Sequence, residues 1–214
     1  MTPRLSSLNI GLPAHHTSEE PWTSGIYKSP VPGKIFLSMV NLAGDGQADL
    51  TVHGGPDKAV CVYSTDHYPF WRRELLVEES GPGWFGENFS IEGQTEADVA
   101  IGDTCRIGTA VVQVSQPRAP CWKLGRRWAR LDMPKLVLQS GRTGWYLRVL
   151  ETGHVEPGDV LTLVERLHPH LTVDAVNAVA YSRGGTTNLE AARELAHCSA
   201  LSEAWRGKFR KLGE

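Results

Sequence analysis

Asp98-Val99-Ala100-Ile101-Gly102-Asp103-Thr104-Cys105-Arg106-Ile107 runs through Gly108 into Thr109-Ala110-Val111-Val112-Gln113-Val114. Two β-rich runs joined at a glycine read as a hairpin. A Pro-Gly-Asp turn at 157–159 precedes a similar run, Val160-Leu161-Thr162-Leu163-Val164. Upstream, 35–40 and 59–63 are short β-branched or aromatic runs bounded by turn residues. Several short strands punctuated in this way predict a barrel or sandwich rather than a parallel sheet.

Helical spacing lies around these strands. The pattern predicts a helix over 65–76, with Thr65 as its cap and Tyr68, Trp71 and Leu75 on one face. Residues 121–139 read as helical with an interruption near Pro134. After Arg166 the period becomes helical throughout. Val173, Val176 and Ala180 share one face, Asn188 caps a second helix and Ser202 a third, the last with Trp205, Phe209 and Leu212 inward. Three helices this short are marginal alone and need the barrel or a second subunit to pack on. The first 33 residues, rich in Pro, Gly, Ser and Thr, read as extended or loosely packed. The fold expectation is therefore mixed α and β, mainly β. It comprises an extended segment over 1–33 packing on a barrel, a barrel domain over 34–166, and a small three-helix domain over 167–214.

Composition narrows the function classes. At 214 residues the chain can bury a real core. Its 22 Lys and Arg against 24 Asp and Glu argue against a general nucleic-acid coat. No apolar run reaches membrane-span length, and the N-terminus lacks the apolar core of a signal peptide. Cys61, Cys105, Cys121 and Cys198 are scattered, with no C-x-x-C pair. The expectation is reduced thiols in the cytoplasm and no iron–sulfur cluster of ordinary spacing. Any redox chemistry then takes its electrons from outside the chain.

Ser115-Gln116-Pro117-Arg118-Ala119-Pro120-Cys121-Trp122-Lys123 carries the chemistry. Two prolines stiffen the approach to Cys121, and Arg118 and Lys123 stand near enough in sequence to favour a thiolate, the form that binds soft metals. The plain alternative is a buried core cysteine. His53-Gly54-Gly55-Pro56-Asp57-Lys58 reads either as a turn between strands or as a bare, basic cradle for an anion, with Lys58 as a point charge. Ser115, Gln116 and Arg118 sit at a strand end, a good place to hold a ligand; Arg118 suits a phosphate, or alternatively a surface ion pair. Asn88, after Gly86-Glu87, reads either as part of a turn or as a hydrogen-bonding partner for a ligand. Trp145, Tyr146 and Arg148 are candidates for the mouth of the same site or for packing.

With Asp45-Gly46-Gln47-Ala48-Asp49, Gly86-Glu87-Asn88-Phe89-Ser90 and Gly144-Trp145-Tyr146-Leu147-Arg148-Val149, these pieces resemble the MOSC-domain superfamily. The domain is named after the C-terminal part of molybdenum-cofactor sulfurase, and the chain looks most like the bacterial YiiM group within it. The five pieces fall in the family's order, and with the C-terminal helical segment they cover most of residues 34–214. The resemblance implies a MOSC-type β-barrel with flanking helices and a C-terminal three-helix domain. It implies the molybdenum cofactor, molybdopterin-bound, with Cys121 as the protein ligand to molybdenum. His53, Gly54, Gly55, Lys58, Asn88, Ser115, Gln116, Arg118, Lys123 and Arg148 would then hold the cofactor.

By the same resemblance the protein is an oxidoreductase. It would reduce N-hydroxylated compounds, especially N-hydroxylated purine or pyrimidine bases, to amines with electrons from an external reductase. His53 is the candidate proton donor because the ordinary histidine pKa lies near working pH; that role comes from the residue type and not from the family pattern. Two other readings stay open: a non-redox carrier of the cofactor or of sulfur as a Cys121 persulfide, and a cysteine hydrolase using Cys121 and His53. No nucleic-acid polymer, membrane or pyridoxal phosphate is expected as a partner. The three-helix segment is open between homodimerisation, substrate gating and reductase docking.

Overall fold

The computed structural model describes residues 2–17, 20–78, 81–181 and 188–213. Its strands are β1 (Arg4–Ile10), β2 (Ala14–His16), β3 (Trp22–Ser24), β4 (Ser29–Pro30), β5 (Ile35–Leu37), β6 (Val60–Ser64), β7 (Phe89–Glu92), β8 (Thr104–Ile107), β9 (Ala110–Pro117), β10 (Trp145–Glu151), β11 (Gly153–Val155) and β12 (Thr162–Glu165). Its helices are α1 (Tyr68–Leu75), α2 (Trp122–Arg127), α3 (Met133–Ser140), α4 (Val173–Ala180), α5 (Leu189–His197) and α6 (Glu203–Gly213). Eight strands form one sheet in the order β12-β8-β9-β10-β6-β7-β1-β4. The β6–β7 pair is parallel and the other ladders of this sheet are antiparallel.

The expected hairpin is β8–β9, paired from Thr104↔Gln113 to Ile107↔Ala110. Its turn uses Gly108 at φ 54, where a Cβ would lie 2.2 Å from the His154 carbonyl oxygen. The sheet then curls until its two ends meet. Leu5 N–H donates to Asp159 O (2.8 Å), Gly158 N–H to Leu5 O (2.7 Å) and Leu161 N–H to Pro3 O (3.0 Å). Closure of this kind satisfies backbone groups that an open edge would leave unpaired.

That closure corrects the loose reading of the N-terminal segment. β1 lies between β7 and β4, and Leu5 and Leu8 are 0% exposed. The helices after Arg166 share the barrel's core: Val173, Val176 and Phe209 belong to one apolar cluster with Leu5, Val112 and Leu147. Backbone and side-chain bonds fasten them as well, with Ser202 N–H on Ser115 O (3.0 Å) and Asn177 Nδ2 on Thr143 Oγ1 (2.9 Å). A second, aromatic cluster of Tyr63, Tyr68, Trp71, Phe85, Leu124, Met133 and Val137 holds α1, α2 and α3 to the other side.

The expected cap Asn188 accepts from Ala191 N–H (3.1 Å), Trp205 N–H reaches Ser202 Oγ at 3.4 Å, and Thr172, which the sequence reading did not single out, caps α4 by accepting from Ala175 N–H (3.1 Å). Thr65 is not the cap of its helix. Ser64 Oγ takes Asp66 N–H (3.2 Å) and starts a 3-10 turn that leads into α1, while Thr65 Oγ1 donates to Ile91 O (3.2 Å). Pro134 does not cause the break between α2 and α3 either. The break falls at 128–132, where Ala129 has φ 48, and Pro134 sits in the first turn of α3, which needs no N–H there. The strand at 35–40 stops at Leu37 because Ser38 N–H closes a turn onto Asn41 O (2.9 Å). Among the described residues no helix is long and apolar enough to cross a membrane.

Leu8→Ala tests the place of β1 in the barrel. Truncation of a fully buried leucine costs about 2–5 kcal/mol, read as a lower urea midpoint at unchanged m-value; a loosely packed segment would lose almost nothing.

Candidate functional site

Strand β9 ends at Pro117, and the chain passes through Arg118-Ala119-Pro120 to Cys121, which precedes α2 in an extended conformation (φ −110, ψ 168). This stretch forms one wall of a cleft of about 670 Å³, open to solvent. The loop at 24–28, the turns at 46–58, the loop at 85–88 and Tyr146 of β10 complete it. Cys121 is half-buried there, whereas Cys61, a second thiol of the lining, is buried. Burial pushes the Cys61 thiol up from its ordinary pKa.

Positive charge dominates the lining: Lys28, Lys58, Arg118 and Lys123 all reach it. Lys28 has a buried partner, Asp45, whose carboxylate also accepts Gly11 N–H (2.8 Å) and Asn88 Nδ2 (2.9 Å). Lys58 Nζ donates to Val52 O (2.7 Å), and burial lowers its pKa. Arg118 is 6% exposed and, among the described residues, has no carboxylate within ion-pair distance. Its Nη2 donates to Phe85 O (2.5 Å), its main-chain N–H to Gly144 O (3.0 Å), and its Nη1 has no partner. A buried guanidinium with an unspent donor in a cleft is poised for an anion.

His53 responds to the same field. Burial lowers its pKa first, and Lys123 and Lys58 lower it further, against a smaller upward pull from Asp49. The imidazole is therefore held neutral at neutral pH. The proton-donor expectation rested on the ordinary histidine pKa, and the site holds His53 below it. Tyr146, pushed far above the usual tyrosine pKa by burial and by Cys61, stays protonated.

Eight of the expected residues come together: His53, Gly54, Lys58, Asn88, Arg118, Cys121, Lys123 and Tyr146 line the cleft. Asn88 is a brace within it. Its Oδ1 accepts Cys61 N–H (3.1 Å) and its Nδ2 binds Asn9 O (3.2 Å) and Asp45 (2.9 Å). Gly54, at φ 76, leaves room for Gln47 Oε1, which a Cβ would meet at 2.8 Å.

Four expected residues lie off the lining. Gly55 (φ 84) opens the 3-10 turn over Pro56–Lys58. Ser115 is fully buried, and its hydroxyl has Asp57 O (2.6 Å) and Tyr146 O (3.1 Å) as acceptors. Gln116 is buried, with Nε2 toward Pro117 O (3.4 Å) and Oε1 without a partner. Arg148 is spent on Asp57 (2.8 Å) and Gln113 Oε1 (2.9 Å). Trp145 is core rather than mouth. Sequence reading missed Lys28, because its segment looked loose. It also missed Cys61, which sits mid-strand as an ordinary apolar residue would, and Phe85, which contributes through a carbonyl that no side-chain motif announces.

Comparison with known proteins decides the family. The MOSC domain model matches residues 49–162, and the model of the YiiM-like 3-alpha helix domain matches 171–212. The chain belongs to the MOSC-domain family, YiiM type. It is 45% identical over 206 residues to protein YflK of Bacillus subtilis (strain 168), covering 96% of this chain and 92% of that protein. The crystal structure of YiiM from Geobacillus stearothermophilus superposes with a TM-score of 0.83 at 36% identity, covering 99% of this chain and all of that one (100%). A protein of Gibberella moniliformis (strain M3125 / FGSC 7600) named "Reductase" is 38% identical over 182 residues, 84% of this chain but 31% of its own length. The MOSC match spans the lining from His53 to Tyr146, whereas the Lys28 loop is contributed from outside it.

The electrostatic account predicts a histidine that titrates low. In an NMR titration the His53 midpoint lies below 6.5, and Lys123→Ala raises it, because removing a cation favours the charged imidazolium. A midpoint unmoved by that substitution would disprove the coupling.

Proposed function

We propose that the cleft binds the molybdenum cofactor and that the protein reduces N-hydroxylated compounds, such as N-hydroxylated purine or pyrimidine bases, to amines. Arg118 carries the reading: its buried, unspent Nη1 sits in a cationic cleft beside a half-buried thiol. Among the described residues no group of three or more His, Cys, Asp or Glu side chains could hold a metal ion. A metal here arrives with most of its own donors, and a cofactor bearing both a metal and a phosphate matches the set. The MOSC membership and the reductase-named relative support the same class of chemistry.

In this reading Cys121 Sγ, as thiolate, is the protein ligand to molybdenum. Arg118 Nη1, Lys58 and Lys123 bind the anionic end, and Gly54 lets it approach the backbone. When bound, the cofactor supplies two-electron redox chemistry, with electrons from an external reductase. The overall reaction takes an N-hydroxylamine, two electrons and two protons to an amine and water. The chain's share is protons and placement. Neutral His53 carries an N–H; burial is the first cause of its lowered pKa, and an anion bound against Lys58, Lys123 and Arg118 offsets the further lowering that those cations add. His53 then becomes able to hold a second proton and release it toward the leaving oxygen. The proposed setting is the cytoplasm, where Cys121 stays reduced.

A carrier of cofactor or of Cys121-bound sulfur would use the same half-buried thiol and differs by lacking turnover.

Protein purified from a host that makes the cofactor is expected to hold near-stoichiometric molybdenum and pterin. Cys121→Ala should lose the metal and the reduction of N-hydroxylamines together. Metal in neither protein sinks the reading, and metal without turnover turns it to the carrier.

A further inference from the structure

Outside the lining of the cationic chamber, between its wall residues Cys121 and Lys123 in the chain, stands an exposed aromatic residue. Trp122 follows Cys121 directly and is 55% exposed, although tryptophan is highly buried on average. It belongs to neither apolar cluster of the core. Its ring lies 5.8 Å from Trp22, which packs in turn against His16 (4.6 Å) and, more distantly, Tyr27 (6.3 Å). Trp122 is thus braced by Trp22, the Arg126 guanidinium lies 5.8 Å from its ring centre, and about half of the residue remains exposed. It also flanks the cleft: Lys123 lines the chamber, and its Nζ is 5.9 Å from the centre of the Trp122 ring.

Fold stability does not account for this arrangement, because an exposed ring contributes little apolar burial. A rigid aromatic face beside a mobile ammonium matches a planar heteroaromatic ring with acceptor atoms on its edge: the indole stacks on the ring, and Lys123 donates to the edge. We infer that Trp122, held by Trp22, is the ring-binding platform of the site. It selects planar heteroaromatic N-hydroxylated substrates over aliphatic ones and sets the ring beside Cys121. The inference rests on the reductase reading for the identity of the reaction, but the stacking itself does not require turnover.

The test uses the protein from a cofactor-competent host, with adenine, the amine product expected from a hydroxylated base, as the binding probe. Wild type binds adenine by calorimetry. Trp122→Ala weakens binding about tenfold, and Trp122→Phe restores most of it. In turnover, Trp122→Ala raises KM for N6-hydroxyadenine by about the same factor at unchanged kcat and leaves the ring-free N-hydroxyurea unaffected. Because Trp122 lies outside the core, a native circular dichroism spectrum and melting temperature are expected for the variant. No adenine binding by wild type, or equal affinity in a folded Trp122→Ala, overturns the platform. Adenine binding that depends on Trp122 without reduction of any hydroxylamine leaves the platform standing and removes the reductase reading.

Discussion

The buried guanidinium of Arg118 is the constraint around which the site is arranged. A charge in the protein interior is costly unless hydrogen bonds or a counter-ion satisfy it. Here one carbonyl meets the charge, Phe85 O taking Nη2, and a second, Gly144 O, holds the residue in place by accepting its main-chain N–H. Each carbonyl is fixed from behind by a buried carboxylate. Glu87 binds the N–H groups of Gly83 and Phe85, both at 2.8 Å, as well as the Tyr68 hydroxyl (2.5 Å). Glu96 binds Gly144 N–H (2.7 Å) and His67 Nε2 (2.6 Å). The negative charge thus stays one residue away from the guanidinium. It fixes where Arg118 lies without neutralising it, and the open donor keeps its pull on an anion.

The glycine turn opposite is held by a parallel device. Asp57 takes Arg148 from β10, and the main-chain oxygen of Asp57 accepts from Ser115 of β9. Two residues that sequence reading placed on the ligand therefore tie the ligand-facing turn to the barrel wall. This division suits the chemistry. Lys58, His53 and Gly54 are left facing the cleft, while their neighbours fix the turn to the barrel.

The hairpin, the three C-terminal helices with Asn188 and Ser202 as caps, and the gathering of Cys121, Arg118, His53 and Lys58 were legible in the sequence. Each leaves a local mark: a two-residue turn, a capping side chain at a helical start, a proline-stiffened cysteine. The place of β1 was not legible, because a short strand inside a Pro- and Gly-rich segment carries no periodic signal and its partners at 158–161 lie far along the chain. Lys28 was lost with it. Arg148 and Ser115 misled for a related reason. Strand residues alternate faces, so a site at a strand end receives only some of its neighbours, and β-bulges such as the register shift between Tyr146 and Leu147 change which ones.

The C-terminal helices complete this logic. They share the barrel's apolar cluster, and their polar bonds land on two chosen points. Ser202 N–H closes on the Ser115 carbonyl of β9, and Asn177 on Thr143, the residue before Gly144. Ser115 supports the glycine turn and Gly144 supports Arg118. Both arms of the cleft therefore rest, at one remove, on α4 and the start of α6. A helical segment attached for dimerisation or docking alone would have no need to meet these two residues. Its contacts here make it a brace for the strand ends that hold the cationic site, so loosening the helices would blunt the cleft before it opened the barrel.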